Sequence, residues 1–197
     1  KIKNLVTSGS ISSSGTTGGV VANFSGGTIK NCVNNASITS SSIEDGVGGI
    51  VGKLDATTTD STITECVNLG RIKDGEYTGG IVGYGTTTKS ASQTVIISKC
   101  INIGELTPTS NYSGVFVSGI LGYSAFTGTT STIENCLNKG IIASYTSGGV
   151  HNYQGISFVV FGETQTQITN SLNVGNVNNM QAANVIAFGA TIRNSYF

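Results

Sequence analysis

The chain has 197 residues, 10% charged and 38% hydrophobic, with ten Lys plus Arg balanced by ten Asp plus Glu. That balance leaves no basic face to neutralise phosphates, which argues against nucleic acid and against a polybasic membrane patch. No apolar run approaches the roughly 20 residues of a spanning helix, and no charged-then-apolar leader opens the chain, so it reads as mature or cropped.

Twenty-eight Gly, one Pro (Pro108), no Trp and abundant Ser, Thr and Asn make the composition poor in helix formers. Two short motifs alternate from end to end. A degenerate first motif, Ile2-Lys3-Asn4-Leu5-Val6-Thr7-Ser8-Gly9-Ser10-Ile11, is followed by a weak second one, Gly18-Gly19-Val20-Val21-Ala22. The full form, Ile29-Lys30-Asn31-Cys32-Val33-Asn34-Asn35-Ala36-Ser37-Ile38, precedes Gly48-Gly49-Ile50-Val51-Gly52. Ile63 to Ile72 then leads to Gly79-Gly80-Ile81-Val82-Gly83-Tyr84, and Ile97 to Leu106 to Ser118-Gly119-Ile120-Leu121-Gly122-Tyr123. Ile133 to Ile142 and Ile168 to Val177 precede the weaker Val159-Val160-Phe161-Gly162 and Ile186-Ala187-Phe188-Gly189, and a truncated Ile192 to Phe197 closes the chain.

The positions equivalent to Cys32 are 5, 32, 66, 100, 136, 171 and 195, so the intervals are 27, 34, 34, 36, 35 and 24 residues. Both motifs are short, β-branched and bounded by Gly and Asn, which predicts strands between turns. The Thr/Ser-rich stretches Asp55 to Ser61 and Thr86 to Gln93 predict loops. One unit offers two clear strands and room for a third, too little to bury a face alone. Stacked copies pair each strand with its equivalent in the next unit. The expected fold is therefore all-β: a single parallel β-solenoid over residues 1–197, of about six coils, with a repeat of roughly 34 residues and a length of roughly 30 Å. A β-propeller is the rival, but its blades need four antiparallel strands each.

Stacking turns alignment columns into ladders. Asn34, Asn68, Asn102, Asn138 and Asn173 predict an internal asparagine ladder bonding the turn backbone and the next amide. Cys32, Cys66, Cys100 and Cys136, continued by Ser171 and Ser195, form a small-residue slot. Side chains stacked in register point the same way, which favours buried free thiols over disulfides. No C-x-x-C pair or His partner supports a metal, so none is expected, nor any cofactor. Strict alternation places Val67 outside, yet its column (Val33, Val67, Ile101, Leu137, Leu172, Tyr196) is always apolar; either a corner or bulge follows the cysteine, or a second layer covers that face. The column Gly70, Gly104, Gly140, Gly175 predicts positive φ or close backbone approach. Arg71 should stack on Glu105, and Glu65 on Lys99.

The block Gly79 to Tyr84, followed by an Ile-x-x-[Cys/Ser] strand, resembles the GLUG-type repeats of bacterial and protist surface proteins. The resemblance runs through nearly the whole chain and implies an extracellular stalk or adhesive array. The regular Cys-x-Asn-x-Gly block lies outside what that family requires.

Solenoid enzymes acting on polysaccharides cluster acids on one face, and glycosidic cleavage needs two carboxylates about 5–9.5 Å apart. The candidate acids, Glu44, Asp45, Asp55, Asp60, Asp74, Glu76 and Glu163, never recur in a column; only Glu44 and Asp45 with Asp74 and Glu76 are placed to meet. His151 has no nucleophile that sequence places beside it and reads as a loop residue. Gly46 to Gly52 lacks the Lys-Ser/Thr of a phosphate loop and reads as a solenoid turn. The expectation is an extracellular structural or adhesive module and not an enzyme, with a polysaccharide lyase or hydrolase as one alternative. An ice-binding solenoid, from Thr57-Thr58-Thr59 and Thr86-Thr87-Thr88, is another.

The expected partners are a glycan or a host or cell-surface protein, with Tyr84, Tyr112, Tyr123, Tyr145 and Tyr153 as candidate contacts. Asn23, Asn35 and Asn111 head N-x-Ser sequons, candidate glycosylation sites in an exported chain. Ile2 and Ile192 open the same strand in phase, and neither end carries a polar cap. Uncapped strand edges pair with more of the same, so the expectation is a slice of a longer array or end-to-end self-association, which a monodisperse monomer in light scattering would count against.

Overall fold

The computed structural model describes the chain except for residues 42–45, 74, 88–91, 109–113, 144–150, 160–164, 178–182, 185–186, 189 and 197. Among the described residues there is no helix, and every strand pairing is parallel, which excludes a propeller. The chain winds as a β-solenoid whose coils have five walls, against the two clear strands and room for a third that the sequence offers per unit. The third coil runs through Ser61–Thr64 on wall 1, Val67–Asn68 on wall 2, Ile72–Lys73 on wall 3, Tyr77–Gly79 on wall 4 and Val82–Thr86 on wall 5. Walls 1 to 5 stack seven, six, four, six and six strands. Among the described residues, four coils therefore carry a strand on every wall, and beyond them wall 3 continues as the single bridges Leu106 to Ile142 and Ile142 to Val177.

Sequence reading found fewer strands because several walls are only two or three residues long. Val67–Asn68 is too short to express a period of two. Register is nonetheless exact in the columns that matter: Ile29, Ile63, Ile97, Ile133 and Ile168 align rung upon rung on wall 1. They form one apolar core with the Cys column and with Val51, Leu54, Val82 and Leu121 of wall 5.

A second core joins Ile38, Ile72, Leu106 and Ile142 of wall 3 to Val47, Val115, Val117 and Tyr153 of wall 4. Tyr153, a candidate contact in the sequence, packs on the core side instead: on wall 4 it alternates inward and fills the space between walls 3 and 4, away from the outer face. His151 opens the strand His151–Gln154 instead of lying in a loop.

The puzzle of the apolar Val67 column has a backbone answer. The residue before each cysteine equivalent (Asn4, Asn31, Glu65, Lys99, Asn135, Asn170, Asn194) has φ between 46° and 57°. This left-handed corner, which Asn tolerates best, precedes the cysteine and turns it back inward. Val33, Val67, Ile101 and Leu137 then point outward and half-exposed, ending in the exposed Leu172 and Tyr196. The corner comes before the cysteine, not after it, and no described segment forms a second layer.

The Gly70 column is a close approach and not a positive-φ turn. A Cβ on Gly70 would stand 1.9 Å from the Ala36 carbonyl oxygen, and on Gly104 2.0 Å from that of Gly70. On the surface, Arg71 pairs with Glu105 as expected (3.3 Å), but Glu65 pairs with Lys30 of the preceding coil (2.9 Å) rather than with Lys99. That bond to Lys30 holds the Glu65 carboxyl below its usual range.

Candidate functional site

The inward ladders are built for stability. Asn34 Nδ2 donates to Asn68 Oδ1 (2.8 Å), Asn68 to Asn102 (2.9 Å), Asn102 to Asn138 (2.8 Å) and Asn138 to Asn173 (2.7 Å). Each Nδ2 also donates to the carbonyl two residues on, as Asn102 does to Gly104 O at 3.1 Å. The Thr7 hydroxyl donates to Asn34 Oδ1 (2.8 Å) and closes the row. Both amide hydrogens and the oxygen are thus used inside the protein, which leaves the row nothing to offer a ligand.

The four cysteines are free and buried. Each thiol donates to the carbonyl two residues back, as Cys100 does to Ser98 O (3.2 Å), and the Ser171 and Ser195 hydroxyls repeat that bond to Thr169 O (3.1 Å) and Arg193 O (3.0 Å). Burial pushes the Cys32 and Cys100 thiols up, away from the reactive thiolate.

The asparagine ladder also shapes the outside. A Cβ on Gly49 would stand 2.4 Å from Asn68 Cγ, on Gly80 2.3 Å from Asn102 Cγ, and on Gly119 2.3 Å from Asn138 Cγ. The Gly-Gly-Ile bend between walls 4 and 5 therefore dives to the centre of the rod and rests on the asparagines, separating the two cores. The outer faces of walls 4 and 5 are brought backbone to backbone: a Cβ on Gly83 would meet Val47 N at 2.3 Å, and one on Gly122 would meet Thr78 C at 2.6 Å. The second motif is glycine-rich because two layers of backbone approach through it.

Along this re-entrant face the outward positions of walls 4 and 5 are aromatic. Tyr77 pairs in register with Phe116, and Tyr84 with Tyr123. Ring centroids are 5.0 Å apart for Tyr77 and Tyr84, 4.6 Å for Tyr77 and Tyr123, 4.7 Å for Phe116 and Tyr123, and 4.5 Å for Phe116 and Phe158. All five rings are half-buried. Lys53 Nζ lies 5.7 Å from the Tyr84 centroid, on the rung before. Burial, and then the Glu76 carboxylate, push the Tyr77 phenol well above its usual range; burial and then Tyr84 raise that of Tyr123. Both stay protonated hydrogen-bond donors at any physiological pH.

Of the candidate contacts, Tyr84 and Tyr123 belong to this groove, Tyr153 to the core, and Tyr112 and Tyr145 lie outside the described residues. Tyr77, Phe116 and Phe158 were missed in the sequence because they stand outside both motifs, so no alignment column marks them. Among the acids, Asp55 closes a local turn by accepting from Thr57 N (3.0 Å) and Thr57 Oγ1 (2.6 Å), and Asp60 accepts from Thr94 N (2.7 Å). Glu44, Asp45, Asp74 and Glu163 lie outside the described residues. Asn23 and Asn35 are exposed; Asn111 lies outside the described residues.

Thr57, Thr58 and Thr59 lie in a bend, and Thr88 lies outside the described residues. A different threonine row stands on the outer face of wall 1, in register as Thr28, Thr62, Ile96, Thr132, Gln167 and Thr191.

Fold and ladders together define a parallel β-solenoid repeat protein. No family model, curated protein or solved structure matches the chain.

Proposed function

We propose that this chain is an extracellular structural and adhesive β-solenoid module, of the kind its GLUG-like repeats imply, which displays a recognition face on a rigid rod. The observation that carries this reading is the aromatic groove: five rings held half-exposed in register on a face that the two cores do not need. Stacked half-exposed aromatics supply large contact area at small entropic cost, the economy of binding surfaces. The low charge and the exposed sequon residues Asn23 and Asn35 suit an exported surface.

The test is adhesion. Beads coated with the module should bind cells or matrix saturably and show no turnover in a polysaccharide-cleavage screen. Turnover that disappears when Glu44, Asp45, Asp74 and Glu76 are substituted together would overturn the reading in favour of a lyase or hydrolase.

One observation favours a second reading, ice binding. The wall 1 row holds hydroxyls at a regular rung spacing on a seven-stranded sheet. Ile96 and Gln167 interrupt it, and Lys30, Glu134 and Arg193 sit in the neighbouring column. Ice recrystallisation that proceeds unchanged in the presence of the protein would dispose of it.

A further inference from the structure

We infer that the groove between walls 4 and 5 is a binding site for an extended, uncharged, β-linked glycan lying along the solenoid axis. The inference rests on the adhesive reading above and names the ligand class of its recognition face.

Three observations point to that class. The first is the shape of the aromatic row. Tyr77 and Phe116 on wall 4 and Tyr84, Tyr123 and Phe158 on wall 5 form a continuous strip spanning three coils. With one rung about every 4.8 Å, successive rings are offered at a rise close to that of one sugar ring in an extended β-linked chain. The axial C–H faces of a pyranose are apolar and carry slight positive charge, so they suit the negative face of an aromatic ring.

The second is charge. Among the described residues, Lys53 and Glu76 are the charged groups that stand against the rings, opposite in sign and at different rungs. Their balance gives an acidic or basic polymer no net attraction and suits an uncharged one.

The third is an unused hydrogen-bond acceptor. Gln154 is only 1% exposed, yet its Oε1 has no partner among the described residues. Gln154 stands in register with Ser118, whose hydroxyl donates to Gly122 O (3.2 Å) across the space between walls 4 and 5. Its neighbour Asn152 is in register with Phe116 at the aromatic row. A buried amide oxygen without a partner costs about 1–3 kcal/mol, and a donor entering the groove would relieve it. Sugar hydroxyls both donate and accept. They can give a hydrogen to Gln154 Oε1 while receiving one from the protonated Tyr123, the Tyr77 hydroxyl being hydrogen-bonded to Glu76. A proline-rich strand, the other common guest of aromatic grooves, offers chiefly carbonyl acceptors and would leave Gln154 Oε1 unmatched.

The experiment uses the full chain with three uncharged hexasaccharides (cellohexaose, chitohexaose of N-acetylglucosamine and laminarihexaose), an oligogalacturonate and a proline-rich peptide. Binding is read by calorimetry and by tyrosine fluorescence, the chain having no Trp. At least one uncharged hexasaccharide should bind saturably, with affinity falling about tenfold or more in Tyr123→Ala and Tyr77→Ala, one stacked ring being worth roughly that. Should those variants fail to fold, Gln154→Leu keeps the packing and removes the acceptor; it should weaken binding about threefold or more, while Thr28→Ala on wall 1 leaves binding unchanged. Failure of all three hexasaccharides at millimolar concentration, preference for the oligogalacturonate or the peptide, or binding indifferent to the groove variants would each overturn the inference. Cell adhesion that survives while the hexasaccharides fail would sink the glycan and spare the adhesive reading. Loss of both would sink both.

Discussion

The asparagine ladder and the aromatic ladder are made by the same in-register stacking, but one lies inside the rod and the other outside. Inside, Asn34, Asn68, Asn102 and Asn138 each use both amide hydrogens and the oxygen on protein partners, so the row is saturated along its length. Outside, the rings touch one another through faces and edges yet stay partly open to solvent. A repeat gives the same spacing to both rows. What separates structural from recognition side chains is whether the coil itself completes their bonding. The two are mechanically joined, because the glycine bend that lines the groove rests directly on the asparagines.

The sharpest way to break this comparison is to interrupt the inner row. Asn102→Ala removes an acceptor from Asn68, a donor from Asn138 Oδ1 and a donor from the Gly104 carbonyl, all buried. At about 1–3 kcal/mol per orphaned group, urea unfolding should report a loss of about 4 kcal/mol. Thr7→Ala, at the part-buried end of the same row, should cost about 1 kcal/mol. Equal losses at the two positions would mean that the row is not cooperative with the core.

Next in size is the joint between the rows. Gly80→Ala places a methyl 2.2 Å from the Gly119 carbonyl oxygen and 2.3 Å from Asn102 Cγ. Overpacking of this kind costs about 1–3 kcal/mol. Combined with Asn102→Ala it should cost less than the sum, since both changes act at one contact. Strict additivity in thermal unfolding would place the bend away from the ladder.

The outer row should reveal itself in alkali. The Tyr77 and Tyr123 phenols are raised by burial, while in the unfolded chain they titrate near 10. The raised folded value means their contribution is fully present below about pH 10 and is lost as pH rises above it, when the unfolded state ionises first. Absorbance at alkaline pH should therefore show Tyr77 and Tyr123 ionising late, and Tyr77→Phe should remove one late step. Seven tyrosines titrating together near 10 would mean that the rings are solvated.

The smallest effect is expected in the cysteine slot. Cys100→Ser should change stability by less than about 1 kcal/mol, because Ser171 and Ser195 already make the same bond to the carbonyl two residues back. A larger loss would mean that the thiols pack in a way the serines do not reproduce.

These two rows also mark what was legible in the sequence. Asn34 to Asn173 and Cys32 to Cys136 sit at near-constant spacing in an aligned block, so their stacking could be read directly, and the parallel solenoid with it. The five walls could not, because facets of two residues such as Val67–Asn68 and Ile72–Lys73 carry no periodicity. The left-handed corner left a visible trace: five of its seven residues are Asn, though Glu65 and Lys99 obscure it. The inward side of Tyr153 and the outward sides of Tyr77 and Phe116 are not legible, because wall 4 has too little regular sequence to tell its inner from its outer face. Glu65 found Lys30 rather than Lys99 because, at a left-handed corner, a side chain does not stand in line with its own column.

The central claim, parallel stacking in register along one axis, is tested most directly by electron–electron distances between spin labels on wall 1. Thr28 and Thr191 are five rungs apart in the row Thr28, Thr62, Ile96, Thr132, Gln167, Thr191, and Thr62 and Thr191 are four. At about 4.8 Å per rung, backbone separations of roughly 24 and 19 Å are predicted, shrinking by one rung for each coil removed. Distances that do not shorten by a constant step from coil to coil would contradict the solenoid, and with it both ladders.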